Sequence, residues 1–325
     1  MHSVNILITS VGRRTSLLNY FKKELVGYGS LIAVDCSDLA PALYVADRHY
    51  IVPRIDEPNY INFIKEICIK EKVVGIFSLI DPELSLLARY KNDFEKIGTT
   101  IIVSPFDVCE LCLDKYAMSK FCQNNGIMHA KTYRFFSDFT DALKNDEINF
   151  PVFIKPRKGS ASLNINIARN INEAKTIFES IPGMIIQEFL KGQEIGIDVY
   201  VDLLSKEIIA TFIKEKIAMR AGETDKARSI KINKLFGIVS DLVRKVGLVG
   251  PIDIDVFNVD GEYYISEINP RFGGGYPHAY ECGVNFPKFV INNLRGIENE
   301  VQIGNYDENV FLMKYDSVLV KHNLR

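Results

Sequence analysis

The sequence predicts an α/β domain with a doubly wound parallel sheet, followed by an α+β region. Two observations support this fold class. In the first hundred residues, short apolar runs alternate with segments of helical periodicity, which is typical of a parallel sheet with helices on both faces. After Ser104-Pro105, short strands follow one another through turns, which favours antiparallel pairing. A chain of 325 residues has room for two or three domains, and we place them at residues 1–104, 105–190 and 191–325.

The elements of the first domain alternate regularly along the chain. Strands are predicted at residues 4–9, 31–34, 74–79 and 99–103, and helices at residues 14–25, 60–70 and 82–90. Ligands of such sheets bind at the carboxyl ends of the strands, which here carry residues 10–14, 35–38 and 81–83. The first turn has one glycine where a dinucleotide fingerprint has three, so Asp35 is not interpreted as a ribose ligand. Arg13 and Arg14 either hold an anionic substrate group or form a solvated basic pair.

The second region mixes helices with hairpins. Helices are predicted at residues 107–112, 115–124, 172–180 and 230–246. Strands are predicted at residues 150–155, 165–168, 183–189, 194–202, 208–213, 252–257, 263–268 and 311–320. No internal repeat or low-complexity linker interrupts this order.

Composition excludes several classes of function. The net charge is −2, which gives no electrostatic reason to expect nucleic acid or an anionic membrane as a partner. No apolar run reaches the roughly 18 residues of a spanning helix, and the N-terminus lacks the order of a signal peptide, so we expect a cytoplasmic protein. Cys109 and Cys112 have a metal-like spacing without a second pair, and we expect buried thiols there. The five histidines do not cluster.

The segment YYISEINPRFGGG, residues 263–275, places three polar side chains on one face of a predicted strand. Glu267, Asn269 and Arg271 are spaced two apart, and side chains at that spacing point to the same side of a strand. The preceding predicted strand carries Asp255. The two strands form a hairpin, and the chemistry depends on how they pair.

The length of the loop around Gly261 decides which faces of this hairpin meet. A two-residue loop places Asp255 on the face opposite to Glu267. A three-residue loop, residues 259–261, pairs Glu267 with Asp253 and brings Asp255 onto its face. We favour the three-residue loop because glycine then stands where a left-handed residue is required.

Two carboxylates and an amide oxygen on one face indicate a site for a hard cation. Mg²⁺ commonly takes one or two carboxylates and completes its shell with phosphate oxygens and water. Asp255, Glu267 and Asn269 are therefore the candidate metal ligands, and Arg271 is placed to hold phosphate or developing negative charge. A solvated polar strand face is the alternative. The glycines at 273–275 allow backbone to approach a ligand closely.

Two upstream segments offer contacts for a nucleotide. FPVFIKP ends a predicted strand at Lys155, and RKGSAS follows as a turn of small residues whose amides can close over phosphates. An exposed lysine before a turn is the alternative interpretation. In IIQEFLKGQEIGIDVYVD, the backbone of Glu188 and Leu190 can hydrogen-bond a purine, and Glu194 can reach ribose hydroxyls. Taken alone, this segment is only a hairpin.

Together these segments resemble the ATP-grasp superfamily across essentially the whole chain. The order is LDKYAMSKF with Lys115, VFIKPRKGSAS with Lys155, then IIQEFLKGQEIGIDVYVD, DIDVF and EINPRFGGG. The first hundred residues look like the domain that precedes the ATP-grasp region. The whole is most similar to single-module carbamoyl-phosphate-synthase-like proteins and to carboxylate–amine ligases. Lys214, Arg220 and the RAGET segment, residues 220–224, are similar to a second lid.

The resemblance implies a role for each matched position. Lys115 and Lys155 would contact ATP phosphates, and Lys155 and Arg271 would stabilise the phosphate in transfer. The remaining implied contacts fall into three sets, namely the loop over the phosphates at Ser160, Ala161 and Ser162, the adenine and ribose contacts at Glu188, Phe189, Leu190 and Glu194, and the metal ligands at Asp255, Glu267 and Asn269.

The resemblance also implies an activity. We expect ATP and Mg²⁺, with Mn²⁺ as a substitute, and a ligase that joins a carboxylate to an amine through an acyl phosphate. Carbamoyl-phosphate-type phosphotransfer to a carbamate or bicarbonate is the alternative within the family. A nucleotide-binding or interaction module without turnover is the alternative outside it. The expected partners are ATP and small molecules, and a homodimer is left open.

Overall fold

The computed structural model describes residues 3–159 and 165–322, and the strands in these ranges form three sheets. The predicted site residues Ser160, Ala161 and Ser162 lie outside the described residues. The prediction of an α/β domain followed by an α+β region is confirmed. The predicted domain boundaries stay a prediction, although each sheet falls within one of the three predicted domains.

The first sheet is parallel, in the order β3-β2-β1-β4-β5. Its strands are β1 Asn5–Thr9, β2 Leu31–Asp35, β3 Arg48–Ile51, β4 Val73–Ser78 and β5 Thr100–Ile101, and its helices are α1 Thr15–Glu24, α2 Tyr60–Glu71, α3 Asp81–Arg89 and α4 Lys91–Glu95. Ile6 and Phe21 belong to the core on one face, whereas Leu7 and Ile64 belong to the core on the other. Because neighbouring residues of β1 enter different layers, the strand is apolar on both sides, as doubly wound sheets require.

The second sheet is antiparallel, in the order β6-β9-β7-β8. Its strands are β6 Thr132–Tyr133, β7 Val152–Pro156, β8 Asn166–Ala168 and β9 Met184–Glu188, and the helices of this region are α5 Phe106–Leu113, α6 Lys115–Asn124, α7 Phe136–Lys144 and α8 Ile171–Ser180. Phe139 of α7 and Ile154 of β7 are wholly buried in its core. Asp114 caps α6 by accepting hydrogen bonds from Tyr116 and Ala117, which fixes the position of Lys115.

The third sheet is antiparallel, in the order β14-β13-β10-β11-β12-β15. Its strands are β10 Gln193–Val201, β11 Ile208–Arg220, β12 Glu223–Ile230, β13 Gly250–Val259, β14 Glu262–Asn269 and β15 Phe311–Met313, and the accompanying helices are α9 Asn233–Val246, α10 Pro277–Glu281 and α11 Phe286–Leu294. Leu235, Val239 and Leu242 of α9 share a core with one face of the sheet. None of the helices in the described ranges combines the length and apolar character that a membrane span needs.

Three predicted elements of this region differ from the structure by three residues or more at one end. The predicted helix at 230–246 begins at Asn233, because Ile230 still belongs to β12. The predicted strand at 208–213 continues to Arg220, and the predicted last strand at 311–320 ends at Met313. The extension of β11 lacks the apolar alternation of a core strand because Lys214 forms a buried ion pair with Asp198 and Lys216 lines a cavity.

The β13–β14 hairpin corrects the predicted loop. Its turn has two residues, Asp260 and Gly261, with φ values of 50° and 87°, so the three-residue loop is wrong. The register then shifts between Asp255 and Val256 of β13, and Asp255 lies directly opposite Glu267. Ser266 is the additional residue of this bulge. The bulge, and not the turn, brings Asp255 and Glu267 onto one face.

Candidate functional site

A cavity of about 460 Å³ lies where the three sheets meet. The N-terminal domain contributes the turn at 10–14 and residues 79–81, which follow the carboxyl ends of β1 and β4. The other two sheets contribute their facing sides. Eight of the predicted site residues line this cavity, namely Lys155, Glu188, Leu190, Glu194, Asp255, Glu267, Asn269 and Arg271.

Two predicted residues lie beside the cavity. The Nζ of Lys115 donates to the carbonyl of Gly159 at 2.6 Å and lies 3.3 Å from Oε1 of Glu267. The ring of Phe189 stacks on the ring of Phe153 with 4.8 Å between centroids, and Phe153 itself lines the cavity. Lys115 therefore contacts the acidic side of the site, whereas Phe189 supports its wall.

The acidic side of the cavity is formed by β13 and β14, with a lysine from β11. Nζ of Lys216 lies 2.6 Å from Oδ1 of Asp255 and 2.8 Å from Oε1 of Glu194. Burial opposes the charge on Lys216, but Asp255 and Glu194 outweigh it and raise its pKa. Burial, together with Asp253 and Glu194, raises the pKa of Asp255 to about 7 against the attraction of Lys216. One lysine thus serves two carboxylates, those of Asp255 and Glu194.

Lys155, the predicted phosphate contact, has different surroundings from Lys216. Lys155 has no ion-pair partner among residues 3–159 and 165–322. Burial lowers its pKa to about 8, although the carboxylates of Glu267 and Asp255 favour its charge. An ammonium without a close counter-ion at the edge of a cavity is suited to bind an external anion.

The opposite end of the cavity has backbone groups at the end of β9. The N–H of Glu188 donates to the carbonyl of Lys131 at 2.8 Å. The N–H of Leu190 has no hydrogen-bond partner within the part of the chain that the structure describes. Leu190 therefore offers a free donor beside the apolar wall, as recognition of a planar heterocycle requires.

Arg271 connects this site to the N-terminal domain. Its Nη2 lies 3.0 Å from Oδ2 of Asp81, and its Nη1 lies 3.5 Å from Oδ2 of Asp253. Its Nη1 also donates to the carbonyl of Phe272 at 3.0 Å. Burial opposes the charge of Arg271, but Asp81 and Asp253 outweigh it and raise its pKa. The guanidinium is consequently held charged between the two domains.

The glycines after Arg271 make room for charged side chains. A Cβ at Gly273 would lie 2.4 Å from Oδ1 of Asp253, and a Cβ at Gly275 would lie 2.9 Å from Cε of Lys214. Lys214 forms a buried ion pair with Asp198. The glycines therefore let the backbone lie directly on this charged layer.

Two acids at the strand ends serve the fold. Asp35 accepts hydrogen bonds from the N–H groups of Gly12 at 2.8 Å and Ser37 at 3.0 Å. Glu83 is wholly buried and accepts from the hydroxyl of Ser10 at 2.7 Å. Both acids shape the turn at 10–14 and do not face the cavity.

Comparison with known proteins identifies the family. The description "PylC-like, N-terminal domain" matches residues 6–102, and the description "ATP-grasp domain" matches residues 112–275. The second match covers half of the chain and includes most of the cavity-lining residues. The chain belongs to the ATP-grasp family.

Individual ATP-grasp relatives differ in their reactions. The chain is 26% identical over 309 residues to "Carbamoyl-phosphate synthase" of Methanobrevibacter smithii, covering 86% of this chain and 77% of that protein. It is 25% identical over 258 residues to the formate-dependent phosphoribosylglycinamide formyltransferase of Proteus mirabilis, covering 74% of this chain and 61% of that protein.

Solved structures share the ATP-grasp architecture. The L-amino acid ligase of Bacillus licheniformis matches with a TM-score of 0.70 and 18% identity, covering 91% of this chain and 75% of that one. The biotin carboxylase domain of Hydrogenobacter thermophilus 2-oxoglutarate carboxylase, in complex with MgADP and bicarbonate, matches with a TM-score of 0.73 and 17% identity, covering 96% and 74%. At these identities the match shows the fold alone.

ATP-grasp proteins typically use ATP with Mg²⁺, and the donor set of this cavity fits that ion. Asp255 and Glu267 lie opposite each other on the hairpin, and both line the cavity. The described residues contain no group of three or more His, Cys, Asp or Glu side chains that would hold a metal ion alone. This composition suits Mg²⁺, which takes few carboxylates and completes its shell with phosphate oxygens and water.

Four charged residues at the site were not individually predicted, although one of them lies in the segment predicted as a second lid. Asp253 lies two residues before Asp255, and strand alternation alone could have placed it on the same face. Lys216 lies in the polar extension of β11, and Glu223 lies in the RAGET segment. Lys314 is paired with Glu223 at 3.0 Å across 91 residues, and no local pattern in the sequence indicates it.

Proposed function

We propose that this protein is an ATP- and Mg²⁺-dependent ligase that joins a carboxylate to an amine and releases ADP and phosphate. The observation that carries the proposal is that one cavity is shared by both parts of the chain. It is lined by Lys155 and Leu190, the proposed nucleotide contacts, and also by Arg271 and the N-terminal turn at 10–14. A transferred phosphate would meet a second substrate there without leaving the protein.

The proposed reaction begins when a substrate carboxylate attacks the γ-phosphate of ATP. Lys155 and Lys115 bind the phosphate oxygens, and Arg271 offsets the charge that spreads over the phosphate in transfer. The amine then attacks the acyl phosphate, forms the amide and expels phosphate. Catalysis through position and charge requires no histidine or cysteine nucleophile. This agrees with the raised pKa, about 12, that burial gives the Cys109 thiol.

The acidic side of the cavity would hold the metal. Asp255, Glu267 and Asn269 would be its protein ligands, and bound Mg²⁺ supplies positive charge that neutralises the ATP phosphates. Lys216 fixes the carboxylate of Asp255 through the 2.6 Å contact and so holds its orientation.

Carbamoyl-phosphate-type transfer is the second candidate, because a relative that matches over 86% of this chain is a carbamoyl-phosphate synthase. The two reactions differ in their acceptors. The ligase requires an amine for full product formation, whereas the rival phosphorylates a carbamate without one. A nucleotide-binding module without turnover is a third possibility, but it has no need of the Asp255–Glu267 pair.

The test is an assay of ADP and phosphate release with ATP and Mg²⁺. Amino acids and small carboxylates are supplied alone, with amines, and beside bicarbonate with ammonia. We expect one acid and one amine together to give stoichiometric ADP and an amide detected by mass spectrometry. ADP that depends on bicarbonate or a carbamate, and not on an amine, would favour the rival.

Glu267→Gln ties this activity to the proposed site. The change preserves shape but removes the charge of a metal ligand, so turnover should fall by about two orders of magnitude or more. Glu262→Gln on the same strand is the matched control, because Glu262 is exposed and pairs with Lys234. Equal activity of the two variants would reject the metal assignment.

A further inference from the structure

Arg14 has hydrogen-bonding capacity that the protein itself does not use. It precedes α1 in the N-terminal turn and lines the cavity. Its side chain is 23% exposed, and its closest ionic contact joins Nη2 to Oε1 of Glu223 at 3.5 Å. No hydrogen bond from its guanidinium exists within residues 3–159 and 165–322. A guanidinium carries five N–H donors in a planar fork, so most of them remain free.

The surroundings of Arg14 already accommodate a carboxylate. Glu223 accepts a hydrogen bond from Nζ of Lys314 at 3.0 Å and lies beside Arg14 on its other oxygen. Burial favours the protonated carboxyl of Glu223, but Arg14 and Lys314 outweigh it and lower its pKa. Lys314 is fixed in turn, because its Nζ also donates to the carbonyl of Gly274 at 2.9 Å. Two cations are therefore arranged around one internal carboxylate.

The glycine run brings Arg14 into reach of the reaction centre. A Cβ at Gly274 would lie 3.0 Å from Nη1 of Arg14 and 2.8 Å from Cδ of Glu223, so a side chain there would displace both. Gly274 follows Arg271 by three residues, which span at most about 10 Å. A small molecule with two acidic groups can extend across that distance.

We infer that Arg14 binds a second carboxylate of the acid substrate, one that the reaction does not consume. The inference rests on the proposed ligase function and deepens it by naming a substrate class. One carboxylate lies beside Arg271 and is phosphorylated, and the other meets the free donors of Arg14. Lys314 is a positioning residue that holds the wall behind the guanidinium, and Glu223 is an internal carboxylate 3.5 Å from it. The substrate class is a dicarboxylate, with acidic amino acids included.

The neighbouring arginine provides a matched control. Arg13 lies in the same turn and also lines the cavity, but its side chain is 67% exposed and approaches Glu223 only at 3.9 Å. Arg13 and Arg14 carry the same charge one residue apart, so long-range electrostatics are nearly equal in the two variants. An effect confined to Arg14 therefore reports its contact with a ligand.

The experiment is calorimetry on the full chain with Mg²⁺ and a non-hydrolysable ATP analogue. The probes are dicarboxylates of three to six carbons, L-aspartate and L-glutamate, each compared with the monocarboxylate of matched length. We expect at least one dicarboxylate to bind, and Arg14→Gln to weaken it by about tenfold or more, since charged hydrogen bonds contribute that much. Arg13→Gln should change affinity by less than about twofold. Arg14→Lys should restore part of the loss, because charge remains but the fork is lost.

Glu223→Gln separates ligand binding from simple folding support. The change keeps the shape beside Arg14 and removes a negative charge, so a dicarboxylate should bind equally well or more tightly. A purely structural role for the Arg14–Glu223 pair would instead make Arg14→Gln and Glu223→Gln fail together.

Each outcome has one meaning. Absence of dicarboxylate binding, equal losses in the Arg13 and Arg14 variants, or preference for monocarboxylates would overturn the inference. Arg14-dependent binding with no amine-dependent ADP release from any acid would support the carboxylate site and contradict the ligase proposal. Ligation of a monocarboxylate unaffected by Arg14→Gln would support the ligase and reject the second-carboxylate site.

Discussion

At the scale of single residues, two lysines of one cavity have opposite electrostatic states. Lys216 lies between Asp255 and Glu194, which outweigh its burial and raise its pKa. Lys155 lacks such a partner in the described ranges, and burial lowers its pKa to about 8. Lys216 is therefore committed to the protein, whereas Lys155 is the cation available to a ligand.

This contrast predicts a pH dependence of nucleotide binding. Lys155 is protonated below its pKa of about 8 and loses its charge as the pH rises through that value. ADP affinity measured by calorimetry should therefore fall between about pH 7.5 and 9.5. In the complex Lys155 should lose its proton at a higher pH than in the free protein, because bound phosphate favours the ammonium. Lys155→Arg keeps its charge over this range and should flatten the profile, and Lys155→Ala should bind weakly throughout. Parallel profiles for wild type and Lys155→Arg would contradict the assignment.

At the scale of elements, the β13–β14 turn depends on a backbone that only some residues adopt. Gly261 has a φ of 87°, and a side chain there is strained even though no atom lies within 4 Å of its Cβ position. Gly261→Ala should lower the free energy of unfolding by about 1–2 kcal/mol. Gly237 in α9 is the control, because its Cβ position is equally open and its φ is not in the left-handed range.

Gly237→Ala should change stability in the opposite direction, by about 0.5–1 kcal/mol, since glycine is unfavourable inside a helix. Urea unfolding of both variants measures the two shifts. If both changes had the same sign, conformational preference would not be what fixes this turn.

The same hairpin shows what the sequence can and cannot predict. The spacing of Glu267 and Asn269 identified one polar face, because strand alternation is a local property. The bulge at Ser266 was not predicted, since it depends on how β14 packs against β13 and not on a residue that marks it. The prediction that Asp255 and Glu267 share a face agrees with the structure. The predicted pairing of Glu267 with Asp253 is wrong, because Glu267 lies opposite Asp255 and the three-residue loop does not exist.

Strands β11 and β12 show a second limit. The sequence of β12, ETDKARSI, has no apolar alternation, and only pairing with β11 and β15 makes it a strand. The outer half of β11 carries Lys214 and Lys216 inward, where a core strand would carry aliphatic residues. In a sequence, polar strands that line a site therefore resemble loops or lids, and the RAGET segment is an example. Their partners, such as Lys314, come from distant parts of the chain.

At the scale of the whole molecule, the cavity exists only because two domains meet. Arg271 of the ATP-grasp region pairs with Asp81 at the start of α3, 190 residues earlier in the chain. Both side chains are nearly buried, at 11% and 8% exposure. The parallel sheet thus positions, through Asp81, the arginine that is proposed to stabilise the transferred phosphate. The arginine itself belongs to the ATP-grasp region.

This connection predicts that Asp81→Asn separates turnover from nucleotide binding. Arg271 would keep Asp253 at 3.5 Å but lose its 3.0 Å partner, so its orientation at the phosphate would relax. We expect kcat to fall by about tenfold or more, because small misplacements of a catalytic group are costly. ADP affinity should stay within about threefold, since Lys155 lies on β7 and Leu190 follows β9, both outside the parallel sheet. Breaking a buried pair also destabilises the fold, so both quantities are measured where circular dichroism shows the variant folded.

Asp56→Asn, at an exposed pair with Arg54, is the control and should alter neither quantity. A parallel loss of nucleotide affinity and kcat would mean that Asp81 supports the whole cavity and not Arg271 in particular.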